Sequence, residues 1–426
     1  MNIIYLVIVV VAFLAAAGAY VTGSYGDTDP MAALTTAMTE SSNGAVTLSI
    51  GLIGMMTLFL GLMKVLEAAG GLRFIALLIR PIMVRLFPDV PPDHPAMGAM
   101  IMNLSANALG LGNAATPFGI RAMQELDKLN PQKGTATNSM ALFLAINTSA
   151  VTLLPSGIIA LRASSGSLDP AGIFVPTLFA TLCSTSVAII ATKTYQRFTP
   201  APTGPAIAAV AETDGDALPG EASDAFPGWV SALAIASIVG IVPLAVLFRE
   251  QVQAASTWII PGIMVGILVI GAVRRVPIYE VFVEGAKDGF QVAVKIIPYL
   301  VAILVAVGMF RASGALDAFV GLIGPVTAMF GMPAEALPMA MLRPLSGSGA
   351  YGIAASIMAD PAVGPDSYTG YLVSTLQGST ETTFYVLAVY FGAVQIHRIR
   401  HAMFAALTAD AAGIAGAIIG CQLFVV

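Results

Sequence analysis

The chain has 426 residues, 57% of them hydrophobic and only 10% charged, with a mean hydropathy of +0.86 and a net charge of −5. A soluble domain carries roughly 25% charged residues, so this composition fits lipid as solvent and excludes an ordinary soluble enzyme. Lys and Arg form no dense patch, which argues against nucleic-acid binding and against a polybasic lipid anchor. Cys183 and Cys421 both lie in apolar runs, and with His94, His397 and His401 they offer no metal-ligand spacing or disulfide framework.

The first 26 residues are uncharged. They lack the basic start of a signal peptide, and Ile3 to Val21 is long for its apolar region, so a transmembrane helix is expected here. Five further uncharged runs lie between Glu40 and Lys64, Lys133 and Arg162, Asp169 and Lys193, Asp224 and Arg249, and Glu250 and Arg274. Each is long enough for a hydrocarbon core of about 30 Å.

From Thr199 to Gly228 the chain is rich in Pro, Ala and Gly and carries Glu212, Asp214, Asp216, Glu221 and Asp224 without a basic residue. This composition reads as a solvated acidic linker over 198–227, on the cytoplasmic side, dividing a repeat at 1–197 from a second at 228–426. Leu66-Glu67-Ala68-Ala69-Gly70-Gly71-Leu72 matches Phe310-Arg311-Ala312-Ser313-Gly314-Ala315-Leu316 at an offset of 244 residues, and Leu104-Ser105 matches Leu345-Ser346 at 241. Asn147-Thr148-Ser149 then matches Gly378-Ser379-Thr380 at 231.

Basic residues favour the cytoplasmic ends of spans. Lys64, Arg73, Arg80 and Arg85 on one side of 94–118, and Arg121, Lys128 and Lys133 on the other, put both ends of that polar segment on the cytoplasmic face. It is therefore expected to enter and return as a re-entrant hairpin buried in protein. Spans are expected over 138–161, 170–192, 227–248 and 252–273, followed by an amphipathic helix over 276–290 lying on the cytoplasmic surface, with Glu280, Glu284, Lys287 and Asp288 at helical spacing. A span over 292–310, a second hairpin over 335–358 entering from outside, and spans over 370–394 and 402–425 complete the chain. The expected fold is an all-α polytopic membrane protein with about nine transmembrane helices and two re-entrant hairpins in two inverted repeats, N-terminus inside and C-terminus outside. Such repeats recur in secondary transporters.

The polar residues gather in two clusters. One comprises Asn103, Ser105, Asn107, Asn113 and Thr116, followed by Asn147, Thr148 and Ser149. The other comprises Arg343, Ser346 and Ser348, followed by Gln377, Ser379, Thr380, Glu381, Thr382 and Thr383. Carboxamides and hydroxyls both donate and accept, so a ring of them can replace the hydration of a polar solute. The same groups also bond one transmembrane helix to another. Glu381 is costly at membrane depth unless paired, hydrated or protonated, and Arg343 is its expected counterion. Two roles for this pair stay open: a structural ion pair, or a site where Glu381 holds a coupling proton, sodium ion or solute while Arg343 attracts an anionic group. Asp410 is a second intramembrane acid, expected to pair with His401 or to stay protonated. Ser346-Gly347-Ser348-Gly349 lacks the glycine spacing of a nucleophile turn and a histidine base, and no phosphate-binding loop, dinucleotide fingerprint or zinc pattern occurs, so no enzymatic activity and no cofactor are expected.

Residues 102–123 (MNLSANALGLGNAATPFGIRAM), 284–302 (EGAKDGFQVAVKIIPYLVA), 343–352 (RPLSGSGAYG) and 377–392 (QGSTETTFYVLAVYFG) resemble spore maturation proteins A and B, joined in one chain. Those proteins belong with the nucleoside-recognition, or Gate, membrane domains. The resemblance implies a Gate-type repeat in each half and a likeness to parts of concentrative nucleoside transporters and ferrous iron transporters. In spore formers the two separate proteins are implicated in spore core dehydration, whereas the fused form resembles one found in bacteria that do not sporulate, so the resemblance sets sporulation aside as its general task. Residues 377–381 resemble a hairpin-tip solute site of the nucleoside transporters. Together these readings favour a bacterial inner-membrane protein that moves a small polar organic solute, nucleoside-like or envelope-related. The alternative is a non-transporting scaffold for envelope or spore maturation machinery. Lipid is the expected surrounding partner, and a homodimer is compatible with the sequence.

Overall fold

The computed structural model describes residues 2–24, 28–199 and 226–425, and every regular element longer than an isolated bridge among them is helical. The chain opens with α1 (Asn2–Thr22), α2 (Pro30–Ala68) and α3 (Gly71–Leu86). Asp29 caps α2 by accepting from Met31 N at 2.7 Å, with Pro30 at the first helical position, where its missing N–H costs nothing. A hairpin follows, α4 (Pro95–Ala108) and α5 (Gly112–Lys128), then the two short helices α6 (Asn138–Thr148) and α7 (Ser156–Ser164), then α8 (Phe174–Tyr195). Two apolar helices, α9 (Gly228–Leu247) and α10 (Arg249–Val273), lead into the second half.

There the order recurs. A long helix α11 (Ile278–Ala312) and α12 (Ala315–Ala328) precede a 3-10 turn at Ala334–Ala336 and a hairpin of α13 (Leu337–Leu342) and α14 (Gly347–Ala359). Then come the short pair α15 (Tyr368–Ser379) and α16 (Thr383–Ala393), and finally α17 (Ala402–Phe424). Local signals recur with the elements. Gly70 between α2 and α3 has φ +89°, and Gly314 between α11 and α12 has φ +73°, a left-handed turn that L side chains resist. Thr137 caps α6 through Met140 N at 3.1 Å, and Ser367 caps α15 through Gly370 N at 3.0 Å.

Equivalent helices of the two halves pack on one another antiparallel. Along α2 and α11, Gly308 lies against Ser41, Gly289 against Met56, and Gly285 against Lys64. Along α8 and α17, Gly413 lies against Ser184, Gly416 against Ala180, and Gly420 against Pro176. In both pairs one number rises as the other falls, so the halves are inverted relative to each other. Absent side chains let the backbones approach closely, the usual packing device where lipid removes the hydrophobic drive.

Six described helices are long and apolar enough to cross a membrane: α1, α2, α8, α9, α11 and α17. With the repeats they make this an all-α polytopic membrane protein. The apolar part of α10 is shorter, Trp258–Val273. Three expectations need correction. The spans expected over 138–161 and 370–394 are each interrupted, at 149–155 and 380–382, because polar and extended residues replace a helical turn in mid-run. The surface helix expected over 276–290 is instead the start of α11, whose 35 residues reach about 52 Å. Gly285 and Gly289 hold that polar stretch against α2, so it continues the span instead of lying flat. Both hairpins form, with turns at 109–111 and 343–346. Most of the acidic linker, 200–225, lies outside the described residues.

Candidate functional site

Each hairpin tip is tied to the interruption of its own repeat. Leu153 N donates to Ala108 O at 2.9 Å in the first, and Phe384 N to Pro344 O at 3.0 Å in the second. Gly110, φ +74°, abuts the Leu154 carbonyl so closely that a Cβ there would lie 2.5 Å from its oxygen, so only glycine fits this tip. The two interrupted helices meet at mid-length, where Glu381 N donates to Thr148 O at 2.8 Å. They run antiparallel, since Ala136 N at the start of α6 reaches Arg398 O at 2.9 Å and Arg162 at the end of α7 reaches Pro365 O at 2.6 Å.

Arg343, on the second tip, is 5% exposed and spans the α15–α16 interruption. Its Nε donates to Gln377 O at 3.1 Å and its Nη1 to Thr382 Oγ1 at 3.0 Å, while Nη2 donates to Thr380 O and lies 3.6 Å from the Glu381 carboxylate. The expected Arg343–Glu381 pair is therefore present. The guanidinium is largely spent on carbonyl oxygens that the missing helical turn leaves without donors. Glu381 has 53% of its side chain exposed and projects into a cavity of about 260 Å³ between the two tips. Asn107, Ser156, Tyr351, Gln377 and Thr382 share its wall.

The remaining predicted residues divide. Asn107 Nδ2 donates to Asn147 Oδ1 at 3.0 Å, joining the first tip to α6. Asn103 is fully buried and donates to Ala115 O at 2.7 Å and to Tyr390 Oη at 3.1 Å, bracing the two arms of the hairpin away from the cavity. Ser105, Thr148, Ser149 and Ser379 return their hydroxyls to carbonyls of their own helices and are buried. Ser346 caps α14 by accepting from Gly349 N at 3.1 Å. Thr380 contributes its carbonyl, Ser348 is half-buried on α14, and Thr116 is half-buried on α5. Asn113 lies on α5, and its side chain is outside the described residues. Asp410 does not pair with His401: it accepts from Thr383 Oγ1 at 2.7 Å, while His401 Nδ1 is 2.9 Å from Thr199 Oγ1. Nine residues of helix separate the two, about 13 Å of rise, which forbids the contact.

Sequence reasoning missed three groups. Tyr390, read as one more aromatic in an apolar run, reaches across the repeats to Asn103 and, at 3.4 Å, to Asn147 Oδ1. Tyr351 donates to Gly157 O at 3.1 Å and lines the cavity; its signal was the glycine-rich turn before it. Arg162, fully buried, donates to Pro365 O, Asp169 O and Asp366 Oδ1 and stacks 4.0 Å above the Tyr371 ring.

The family described as Gate, nucleoside recognition, matches residues 49–165 and 293–397, one segment in each repeat, and both contain a hairpin and its interrupted helix. The chain belongs to this family. Among curated relatives of this Gate protein, spore maturation protein B of Bacillus subtilis is 48% identical over 170 residues, 40% of this chain and 94% of the relative. Spore maturation protein A of the same organism is 47% identical over 154 residues, 36% of this chain and 79% of the relative. Inner membrane protein YjiG of Escherichia coli K12 is 31% identical over 103 residues, 24% of this chain and 64% of the relative.

Proposed function

We propose that this Gate protein is a secondary-transporter-like protein of the bacterial inner membrane that moves a small polar organic solute through the cavity between its two hairpin tips. The observation that carries the reading is the position of Glu381. A carboxylate half open to a cavity, at the point where two antiparallel interrupted helices cross, is costly in a merely structural protein. Interrupted helices expose backbone polar groups at membrane depth, which is tolerated where they line a hydrated space. The likeness to YjiG supports the inner membrane as location, and the basic residues flanking the first hairpin support an N-terminus inside and a C-terminus outside.

Asn107, Gln377, Glu381 and Thr382 contact the solute in this reading, and Arg343 holds the α15–α16 interruption open. A coupling proton or sodium ion acts at Glu381. The test is a thermal-shift screen of nucleosides and other small polar solutes on purified protein, followed by uptake of any hit into proteoliposomes. Saturable uptake that Glu381→Gln abolishes or uncouples from a pH or sodium gradient is expected. Solute-independent liposomes, together with loss of a co-purifying envelope partner on shortening residues 199–227, would favour the scaffold instead.

A further inference from the structure

A second cavity, about 460 Å³, opens beside α1 on the outer face of the helices, where Val7, Val11 and Met341 are exposed, away from the polar site. Its wall is almost wholly apolar, built from α1, α11, α12 and the second hairpin, with Leu345 and Ile353 among its residues. Charges lie at one end only: Arg311 in the last turn of α11, Asp360 at the C-terminal cap of α14, and Glu335 in the 3-10 turn. Arg311 and Asp360 are 3.0 Å apart, with 43% and 16% of their side chains exposed.

From Asp360 to Ile353 the groove follows α14 for about 10 Å, most of a leaflet's hydrocarbon depth of about 15 Å. An apolar trough of that depth, charged only at its outer end, has the polarity profile of a membrane lipid. The end carries one base and two acids. A phosphate meets Arg311 there, but a headgroup with no positive charge also meets Glu335, which has no ion pair among the described residues.

We propose that this groove holds one phospholipid with a zwitterionic, ammonium-bearing headgroup, phosphate at Arg311, ammonium at Glu335 and Asp360, and an acyl chain against Leu345 and Ile353. Leu345 lies two residues from Arg343 on the same tip, so the lipid backs the second hairpin from the side opposite the polar cavity. The site is independent of whether the protein transports.

Native mass spectrometry of the full chain, purified in detergent and offered equal phosphatidylethanolamine and phosphatidylglycerol of the same chains, tests this. One retained phosphatidylethanolamine per chain, preferred roughly fivefold, is expected from one extra ion pair. Glu335→Gln erases the preference, and Met341→Trp, at an exposed wall position, fills the groove and removes the retained lipid. Equal retention of the two lipids, preferential retention of phosphatidylglycerol, or retention that neither substitution changes would overturn the proposal.

Discussion

Arg343 and Glu381 are 3.6 Å apart but unequally placed, with 6% of the arginine side chain exposed against 53% of the glutamate. The exposed partner of such a pair contributes little to stability, about 0–1 kcal/mol. The buried one also satisfies Gln377 O, Thr380 O and Thr382 Oγ1, and each orphaned group costs about 1–3 kcal/mol. Glu381→Gln is therefore expected to unfold within about 1 kcal/mol of the parent, whereas Arg343→Met loses roughly 3 kcal/mol or more. Unfolding of both variants in detergent measures this. Equal losses would mean that the glutamate is structural too.

Arg162 offers a second contrast between buried and exposed charge. It is fully buried and bridges α7 to the loop before α15 in the opposite repeat. Arg162→Met leaves Pro365 O and Asp169 O without this donor and removes the ion pair to Asp366. The 35%-exposed Asp366 carboxylate keeps Ser167 Oγ and Leu168 N as donors, so a loss of about 2–4 kcal/mol is expected from the two orphaned carbonyls. Asp93→Asn removes the 86%-exposed partner of Arg80 and is expected to change stability by less than about 1 kcal/mol. A melting series of the two variants separates them; a small loss for Arg162→Met would show that the repeats hold together without this bridge.

The repeat was legible because its markers are local. Gly70 and Gly314 need positive φ, and the order of motifs survives in the residue names. The interruptions were not legible, because Ser149, Thr152 and Thr380-Glu381-Thr382 signal polarity and not a loss of helix, and only Pro155-Ser156-Gly157 hints at a break. Within the polar clusters, composition cannot distinguish a hydroxyl facing a cavity from one returned to its own helix. Ser105 and Ser379 are of the second kind, while Thr382 faces the cavity. Glu381 and Arg343 were readable because a charge in an apolar run demands a partner. Tyr390 was not, since its hydroxyl finds Asn103 only through the fold.

The antiparallel α2–α11 contact depends on bare backbone. A Cβ at Gly289 would lie 2.6 Å from Met56 O and from Thr57 Cα, whereas one at Gly240 on α9 meets nothing within 4 Å. Gly289→Ala should cost about 1–3 kcal/mol by overpacking, and Gly240→Ala should be neutral or stabilise by up to about 1 kcal/mol through helix propensity. Melting temperatures of the two single variants decide it. A tolerated Gly289→Ala would mean that the long helices can slide apart at little cost.

Outside the spans, His94 makes stability depend on pH. It caps α4 by accepting from Ala96 N at 3.1 Å through Nδ1, a bond that only a ring unprotonated at that nitrogen can make. Burial lowers its pKa below the ordinary 6.5, with Lys128 adding to the effect and Glu125 opposing it. A depressed folded-state pKa means that the contribution is complete above the unfolded value of 6.5 and is lost as pH falls through the folded value. The melting temperature should therefore fall between about pH 7 and about pH 5. His94→Asn, which keeps a capping acceptor but does not titrate, should flatten that part of the profile. An identical slope in the variant would move the pH dependence to another group.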